Sequence, residues 1–363
     1  MDLRLNEQQV MLRESAHRFL RDEYDFAARR ADLAGQAPGK WSEIGQLGWP
    51  GAALSEQADG LGGSAVEHAV LMEEMGRALY VGPFLSTSIV AAMLGVLPGE
   101  AALGMLRCIA AGEARATLAH GEPGGRGFFD APRTVARRET DGFTLRGRKR
   151  LVHDLAVADI VLVSAISPAG TAILLADAKS AGVSRRDYAN IDNSRASDLE
   201  FDGAPAVLLA EGDLAARMLD EAFYWAAVGL GAEAVGIADG ALKQTMDYVA
   251  VRKQFGKALS DFQVVQHRIS DLFVELEQLR SLVLYALSVQ DAAAGERRRA
   301  ALGLKILAGQ VAARIAGDGL HLHGGMGMTD EMPISHYYRR TRVLESQFGN
   351  SDYLLGHHAR MLE

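Results

Sequence analysis

The residues best suited to chemistry lie in the last third of the chain. The stretch RKQFG places Arg252 close to Phe255, and Phe262 and Gln263 follow shortly after it. A later stretch, HLHGGMGMTDEMPISHYYRR, combines histidines with a glycine-rich turn at 324–327. An exposed aromatic ring beside a fixed cation is suited to stack on a ligand or to clamp it. We therefore expect these stretches to contribute to a binding site.

Each of these features also has a purely structural interpretation. Arg252 can be a helix-end cation that the helix dipole favours, and Phe255 and Phe262 can be core residues. The glycines at 324–327 can form an ordinary helix-terminating turn. The order and spacing of the stretches, taken together, favour the binding site.

The elements that must position these residues change type twice along the chain. Residues 1–112 are predicted to be helical, and Asn6 and Gln9 predict a capping box at the start of the first helix. Residues 113–210 contain short β-type runs (RTVARR, GFTLRG, DIVLVSA and TAILLAD), and TDGFTL predicts a hairpin with an Asp-Gly turn. Residues 211–363 are again helical. The predicted fold class is α+β, with a β domain between two helical domains.

Apolar residues in the C-terminal domain recur at spacings of three and four, as on one face of a helix. The two clearest rows are Ile269, Leu272, Phe273, Leu276, Leu279 and Val283, and then Leu304, Leu307, Val311 and Ile315. With the helical segment at 219–250 and the C-terminal segment, these helices predict a four-helix bundle.

Composition argues against several classes of protein. The 363 residues are 48% hydrophobic and carry a net charge of −8, which argues against nucleic-acid binding over the whole surface. No apolar run approaches about 18 residues, and the N-terminus lacks a secretory pattern, so we expect neither membrane insertion nor export. The single Cys108 fits a reducing cytoplasm. His321 and His323, like His357 and His358, lack the spacing and partners of a metal site.

RKQFG at 252–256, FQ at 262–263 and HLHGGMGMTDEM resemble motifs of the acyl-CoA dehydrogenase family, and they stand in the family's order. The helical, β, helical order extends the resemblance to essentially the whole chain. It implies an N-terminal helical domain, a middle β-barrel-like domain and a C-terminal four-helix bundle. It also implies FAD as cofactor, an acyl-CoA thioester as substrate in fatty acid metabolism, and an electron-transfer flavoprotein as electron acceptor.

The resemblance implies that six residues contact FAD: Arg252, Phe255, Gln263, His321, Gly324 and Gly325. Arg252 would bind the FAD pyrophosphate of a neighbouring subunit, because a guanidinium can engage two phosphate oxygens. Phe255 would pack near the flavin or the adenine, and Gln263 would hydrogen-bond the cofactor. The two glycines would let the backbone approach the phosphates. His321 stands where the family often has a cofactor-binding glutamine.

The catalytic base departs from the family pattern. The family's reaction needs a carboxylate to take the α-proton of the thioester while the flavin accepts a hydride from the β-carbon. In the common pattern a glutamate precedes a glycine after the YYRRTRV helix, but here Phe348 precedes Gly349. Some members carry the base on the first long helix of the C-terminal domain, where this chain has Ala226. Glu233 and Glu345 are candidates for a displaced base, although such residues are more often packing or surface ions.

The middle domain departs from the family as well. The TEPxxGSD stretch reads GEPGGRGFFD, which keeps Glu122 and Pro123 but loses the Ser-Asp pair. Leu151 and His153 stand where the family has a Trp and a Thr or Ser against the flavin. These losses resemble the small subunits of heteromeric acyl-CoA dehydrogenases, such as pimeloyl-CoA or steroid side-chain dehydrogenases. In those assemblies another subunit supplies the base.

Three functions are compatible with the sequence. The favoured one is a flavin-dependent acyl-CoA dehydrogenase subunit whose partner supplies the base. The second is an active homo-oligomeric enzyme with a displaced base such as Glu233. The third is a non-enzymatic relative that binds acyl-CoA or a partner protein. The enzymatic functions imply a homodimer or a heterotetramer with a paralogous subunit.

Overall fold

The computed structural model describes residues 4–33, 40–140 and 142–361. The helices are α1 (Glu7–Glu23), α2 (Phe26–Leu33), α3 (Trp41–Gln46), α4 (Ala65–Arg77), α5 (Phe84–Gly95), α6 (Glu100–Ala110), α7 (Gly212–Val251), α8 (Gln263–Ser288), α9 (Ala294–His323), α10 (Pro333–Ser346) and α11 (Ser351–Arg360). The strands are β1 (Ala116–Ala119), β2 (Val135–Glu139), β3 (Gly142–His153), β4 (Ile160–Ser167), β5 (Gly170–Ala176), β6 (Val183–Ala189), β7 (Arg195–Glu211), β8 (Lys253–Gln254) and β9 (Lys257–Ala258). The predicted helical, β, helical order is confirmed.

The chain divides into two units. The first comprises residues 1–37, 69–80 and 227–363, and the second comprises residues 38–68 and 81–226. The first unit therefore holds α8 to α11, while the second holds the large sheet with α3, α5 and α6. Helix α7 contributes residues to both.

The second unit is built on a mixed seven-stranded sheet. The pairings β4–β2, β2–β3, β3–β7, β7–β5 and β5–β4 return to the starting strand, so five strands close a circuit as in a barrel. Strand β1 lies parallel to β4, and β6 pairs with β7. Leu145, Val163, Leu174 and Phe201 belong to its buried core. The sequence pattern does not reveal β6, because that strand is polar and mostly exposed.

Two local predictions within these elements can be compared with the structure. The capping box is confirmed, since Gln9 N donates to Asn6 Oδ1 at 2.9 Å and Asn6 N donates to Gln9 Oε1 at 3.0 Å. Strands β2 and β3 pair as the predicted hairpin, with Glu139 opposite Gly142. Asp141 of its predicted turn lies outside the described residues.

The first unit contains the helices of the predicted bundle. Helices α8, α10 and α11 each pack on α9. Leu272, Leu276 and Leu279 of α8 are buried as predicted, but the prediction for Phe273 is wrong, because this side chain is 54% exposed. Phe273 follows Leu272 directly, so it points about 100° around the helix from that residue.

Two helical segments are long and apolar enough to cross a membrane. They are Gly212–Val251 and Ala294–Met328, and 89% and 61% of their most apolar windows are buried inside the protein. Both are core helices of this fold.

Candidate functional site

Arg252 lies immediately after α7, at the base of the small β8–β9 hairpin. Its main chain is anchored twice, because Arg252 N donates to Tyr248 O at 2.9 Å and Leu259 N donates to Arg252 O at 2.8 Å. Its side chain is exposed, and within the described ranges the guanidinium has no hydrogen-bond or ion-pair partner. The fold therefore fixes the position of this cation and leaves it available to a group from outside the chain.

Phe255 stands at the tip of the same hairpin, where its ring is 92% exposed. Its φ of 52° places it in the left-handed region, which is unusual for a large side chain. The ring contacts Phe262 edge-on at 6.3 Å, and the Lys257 ammonium lies 4.2 Å from the Phe262 ring. Gln263 begins α8 with an exposed side chain. An aromatic ring that is this exposed in its own chain is suited to contact a second molecule.

Gly324 and Gly325 form the turn that ends α9. Gly324 has a φ of 62°, which glycine adopts without strain. A Cβ built on either residue would meet no atom of the described chain within 4 Å. His321, in the last turn of α9, is exposed and its Nδ1 accepts a hydrogen bond from Arg268 Nη1 at 3.1 Å.

Three contacts join the predicted stretches within the first unit. Tyr248 Oη, one turn before Arg252, donates to His323 O at 3.3 Å, and the Tyr248 and His323 rings stack at 4.3 Å. The Arg268–His321 contact links α8 to the same end of α9. The end of α7, the beginning of α8 and the end of α9 therefore form one connected surface.

His323 is a structural residue in this surface. It is buried, its Nδ1–H donates to Gly319 O at 2.7 Å, and burial lowers its pKa. Within the described part of the chain, no group of three or more His, Cys, Asp or Glu side chains is placed to hold a metal ion.

Phe348 occupies the turn between α10 and α11 with a φ of 60°. Lys305 of α9 holds this turn, since its Nζ donates to Glu345 O at 3.1 Å and to Gly349 O at 3.3 Å. The ammonium is buried, and burial lowers its pKa to about 8. Sequence reasoning missed Lys305, because a lysine in an otherwise apolar helix is normally expected at the surface.

Glu233 and Glu345, the two candidates for a displaced base, are both engaged. Glu233 is buried, and its two oxygens accept hydrogen bonds from Arg340 Nε at 2.5 Å and Arg340 Nη2 at 2.8 Å. Glu345 Oε1 accepts from Ser351 N at 3.4 Å, and Oε2 lies 3.8 Å from Arg342 Nη2. A proton-acceptor role for Glu233 would require its ion pair to open. Ala226, where the resemblance places the second position for a base, is buried.

Glu122, in the stretch that resembles the family's TEPxxGSD motif, has an internal role in the second unit. Its Oε1 accepts from Lys149 Nζ at 2.6 Å and Thr134 N at 2.9 Å, and its Oε2 accepts from Arg133 N at 2.8 Å. Burial raises the pKa of Glu122, but the Lys149 charge and these donors outweigh it and bring the pKa to about 2. Burial also lowers the pKa of Lys149 to about 8, with Glu122 opposing that shift. Glu122 therefore anchors this loop.

The resemblance places Leu151 at the family's tryptophan position. Its side chain is 57% exposed, and its φ of 54° coincides with an irregularity in the β3–β7 pairing. An aliphatic side chain here supplies neither an aromatic face nor a hydrogen bond. The backbone of this segment has an unusual conformation, but the Leu151 side chain lacks the groups that would contact a flavin.

Comparison with known proteins identifies the family to which this fold belongs. The family model for the acyl-CoA dehydrogenase N-terminal domain matches residues 6–100, and the model for the C-terminal domain matches residues 216–362. The chain belongs to the acyl-CoA dehydrogenase family, whose members are FAD-dependent oxidoreductases acting on CH–CH donors.

Individual relatives align over almost the full chain. The probable acyl-CoA dehydrogenase YngJ of Bacillus subtilis is 26% identical over 371 residues, covering 97% of both chains. A solved Tcur3481–Tcur3483 steroid ACAD variant is 29% identical with a TM-score of 0.90, covering 98% of both chains. The ChsE4–ChsE5 complex from Mycobacterium tuberculosis gives a TM-score of 0.90 at 22% identity, covering 100% of this chain and 99% of that one, and shows the fold.

Proposed function

We propose that this chain is the supporting subunit of a heteromeric acyl-CoA dehydrogenase, in which a paralogous subunit supplies the catalytic base. The observation that carries the proposal is that the candidate positions for a base hold either no carboxylate or a carboxylate bound in an ion pair. Phe348 takes the place of the family's glutamate, and both oxygens of Glu233 are bound to Arg340. A phenyl ring accepts no proton, so the α-proton of a substrate has no free acceptor at these positions. This pattern is typical of the small subunits of heteromeric acyl-CoA dehydrogenases.

The cofactor contacts support the same division of labour. We propose that FAD held by the neighbouring subunit contacts Arg252, Phe255, Gln263, His321, Gly324 and Gly325. Bound FAD supplies the acceptor for the hydride that leaves the β-carbon. The exposed guanidinium and the open turn at the end of α9 fit the phosphates of a group that another chain presents. The residues for a flavin of this chain's own fit poorly, because Glu122 is engaged internally and Leu151 is aliphatic.

The substrate, electron acceptor and compartment follow from the family and the composition. The assembly would oxidise a CoA thioester between its α- and β-carbons and pass electrons to an electron-transfer flavoprotein. The lone Cys108 suits the reducing cytoplasm. The relative at 29% identity is named for two components, Tcur3481 and Tcur3483, which supports a two-component assembly.

Co-expression tests the proposal. The chain is produced with a paralogous acyl-CoA dehydrogenase chain from the same genome that keeps the glutamate, and the mass and FAD content of the purified assembly are measured. We expect a hetero-oligomer containing both chains and fewer FAD molecules than chains. A homo-oligomer that binds one FAD per chain and oxidises an acyl-CoA without a partner would contradict the proposal.

A further inference from the structure

Three phenylalanine rings pack together in the second unit. Phe128 and Phe129 come from the loop at 121–133 that follows β1, and Phe223 comes from α7. The ring centroids of Phe129 and Phe223 are 4.6 Å apart, those of Phe128 and Phe223 are 5.7 Å apart, and those of Phe128 and Phe129 are 5.8 Å apart. Phe128 and Phe223 are buried, and Phe129 is half-buried. These separations are those of stabilising aromatic contacts.

The position of Phe223 on α7 gives the cluster its significance. Ala226 follows three residues later, so the two side chains lie on the same face of the helix. Ala226 is the position at which some relatives carry the base, and a base must reach within hydrogen-bond distance of the proton that it removes. A thioester presented to that position would bring its acyl group close to this face of α7. Phe223 lies on that face three residues away, and the Phe128 and Phe129 rings pack against it.

The loop that delivers Phe128 is held by buried polar contacts. His120 Nε2–H donates to Phe128 O at 2.6 Å, and His120 Nδ1 accepts from Ser164 Oγ at 2.8 Å. Lys149 Nζ donates to His120 O at 3.1 Å and binds Glu122. Burial lowers the pKa of His120 to about 4, so the ring is neutral and keeps this arrangement of donor and acceptor. The backbone at Phe128 is therefore fixed by the fold.

We propose that Phe128 and Phe129 fill the acyl-binding space of this chain and exclude an acyl group from it. This filling of the acyl-binding space by the two rings, called the closure below, rests on the proposed function, because a supporting subunit has no need to bind substrate. It adds to that function that the side chains of Phe128 and Phe129 exclude the acyl group. The CoA portion of a thioester could still contact the surface, but its acyl chain would gain no apolar contact.

Chain-length dependence of binding tests the closure. Titration calorimetry measures the affinity of CoA, butyryl-CoA and octanoyl-CoA for the purified full-length chain and for Phe129→Ala. Phe273→Ala is the matched control, because Phe273 is an exposed ring on α8. We expect the wild type and the control to bind octanoyl-CoA no more tightly than CoA. Phe129→Ala should bind octanoyl-CoA at least about tenfold more tightly than CoA, since burial of about two methylenes suffices for that factor.

Two results would overturn the closure. One is a wild-type chain that already binds octanoyl-CoA about tenfold more tightly than CoA. The other is a folded Phe129→Ala that shows no dependence on chain length. Phe129→Leu, a milder truncation, replaces it if the alanine variant does not fold. The test uses neither FAD nor the partner, so its failure is distinguishable from failure to form the heteromer.

Discussion

Both oxygens of the Glu233 carboxylate accept hydrogen bonds from Arg340, and both side chains are largely buried between α7 and α10. A bidentate pair of this kind fixes the relative position of the two helices. Removing one partner of a buried pair is strongly destabilising, because the other charge is left without compensation. At the residue scale, the geometry of Glu233 therefore supports a packing role.

Glu233→Gln should lower the free energy of unfolding by about 3 kcal/mol, because Arg340 keeps its buried charge without a counter-ion. Urea denaturation measures the loss. Glu200→Gln is the control, since the Arg148–Glu200 pair is mostly exposed and should contribute little. A variant with unchanged stability and abolished acyl-CoA oxidation would instead assign the base role to Glu233.

Local sequence signals account for part of this picture. Asn6 and Gln9 are close in sequence and predict the cap of α1. The glycine-rich turn after α9 can be recognised from its glycine residues in the sequence. Glu233 and Arg340 are 107 residues apart, so no local pattern reveals their pairing. The ammonium groups of Lys149 and Lys305 bind partners that lie 15 to 44 residues away in sequence, and several of these are backbone carbonyls that any residue type can provide. The engaged state of the candidate site depends on these long-range contacts.

At the scale of elements, α4 and α7 cross at reciprocal glycines. A Cβ on Gly76 would overlap the carbonyl oxygen of Glu233, and a Cβ on Gly236 would overlap the carbonyl oxygen of Glu73. Both obstacles are backbone atoms, which cannot move aside as a flexible side chain can. The helices can approach this closely only because neither position carries a side chain.

Gly236→Ala should reduce the free energy of unfolding by about 3 kcal/mol or more, since overpacking against backbone forces the helices apart. Gly303→Ala provides the control, because a Cβ at this position in α9 meets nothing within 4 Å. That substitution should be neutral or stabilise the helix by up to about 1 kcal/mol. Equal effects in thermal unfolding would show that the α4–α7 crossing is looser than the structure indicates.

The hairpin after α7 carries the next prediction. Arg252→Ala should weaken FAD retention by the co-expressed assembly at least about tenfold, because a charge-assisted contact to phosphate contributes about 1.5–3 kcal/mol. Unfolding of the isolated chain should be unaffected, since the guanidinium has no partner within the described residues. The neighbouring exposed Lys253→Ala is the control. Flavin content that survives dialysis equally in both variants would remove Arg252 from the cofactor site.

At the scale of the whole molecule, buried neutral histidines contribute to the response to acid. Burial lowers the pKa of His68, His120 and His336 from 6.5 to about 4. Arg29 donates to His336 Nδ1 at 2.7 Å, which also disfavours protonation. The unfolded chain takes up these protons near pH 6.5 and the folded chain only near pH 4. The stability that the neutral rings provide is therefore complete above pH 6.5 and is lost as the pH falls toward 4.

His68→Leu should make the protein less sensitive to acid. Burial lowers the pKa of His68 and only a backbone contact with Trp225 opposes it, so an apolar replacement forfeits at most that one contact. The slope of unfolding free energy against pH between about 6.5 and 4 should fall by up to about 1.4 kcal/mol per pH unit. His267→Leu, at an exposed position on α8, should leave the slope unchanged. An unchanged slope in His68→Leu would mean that this ring is protonated in the folded protein.

We expect this chain to lack a working base and to need a partner to oxidise an acyl-CoA. The most direct measurement is anaerobic flavin absorbance after a panel of acyl-CoAs is added to the isolated chain in the presence of supplied FAD, and in parallel to the co-expressed assembly. We expect an unchanged oxidised spectrum for the isolated chain and rapid loss of the oxidised band for the assembly with its substrate. Rapid bleaching of the isolated chain by any acyl-CoA would contradict the claim.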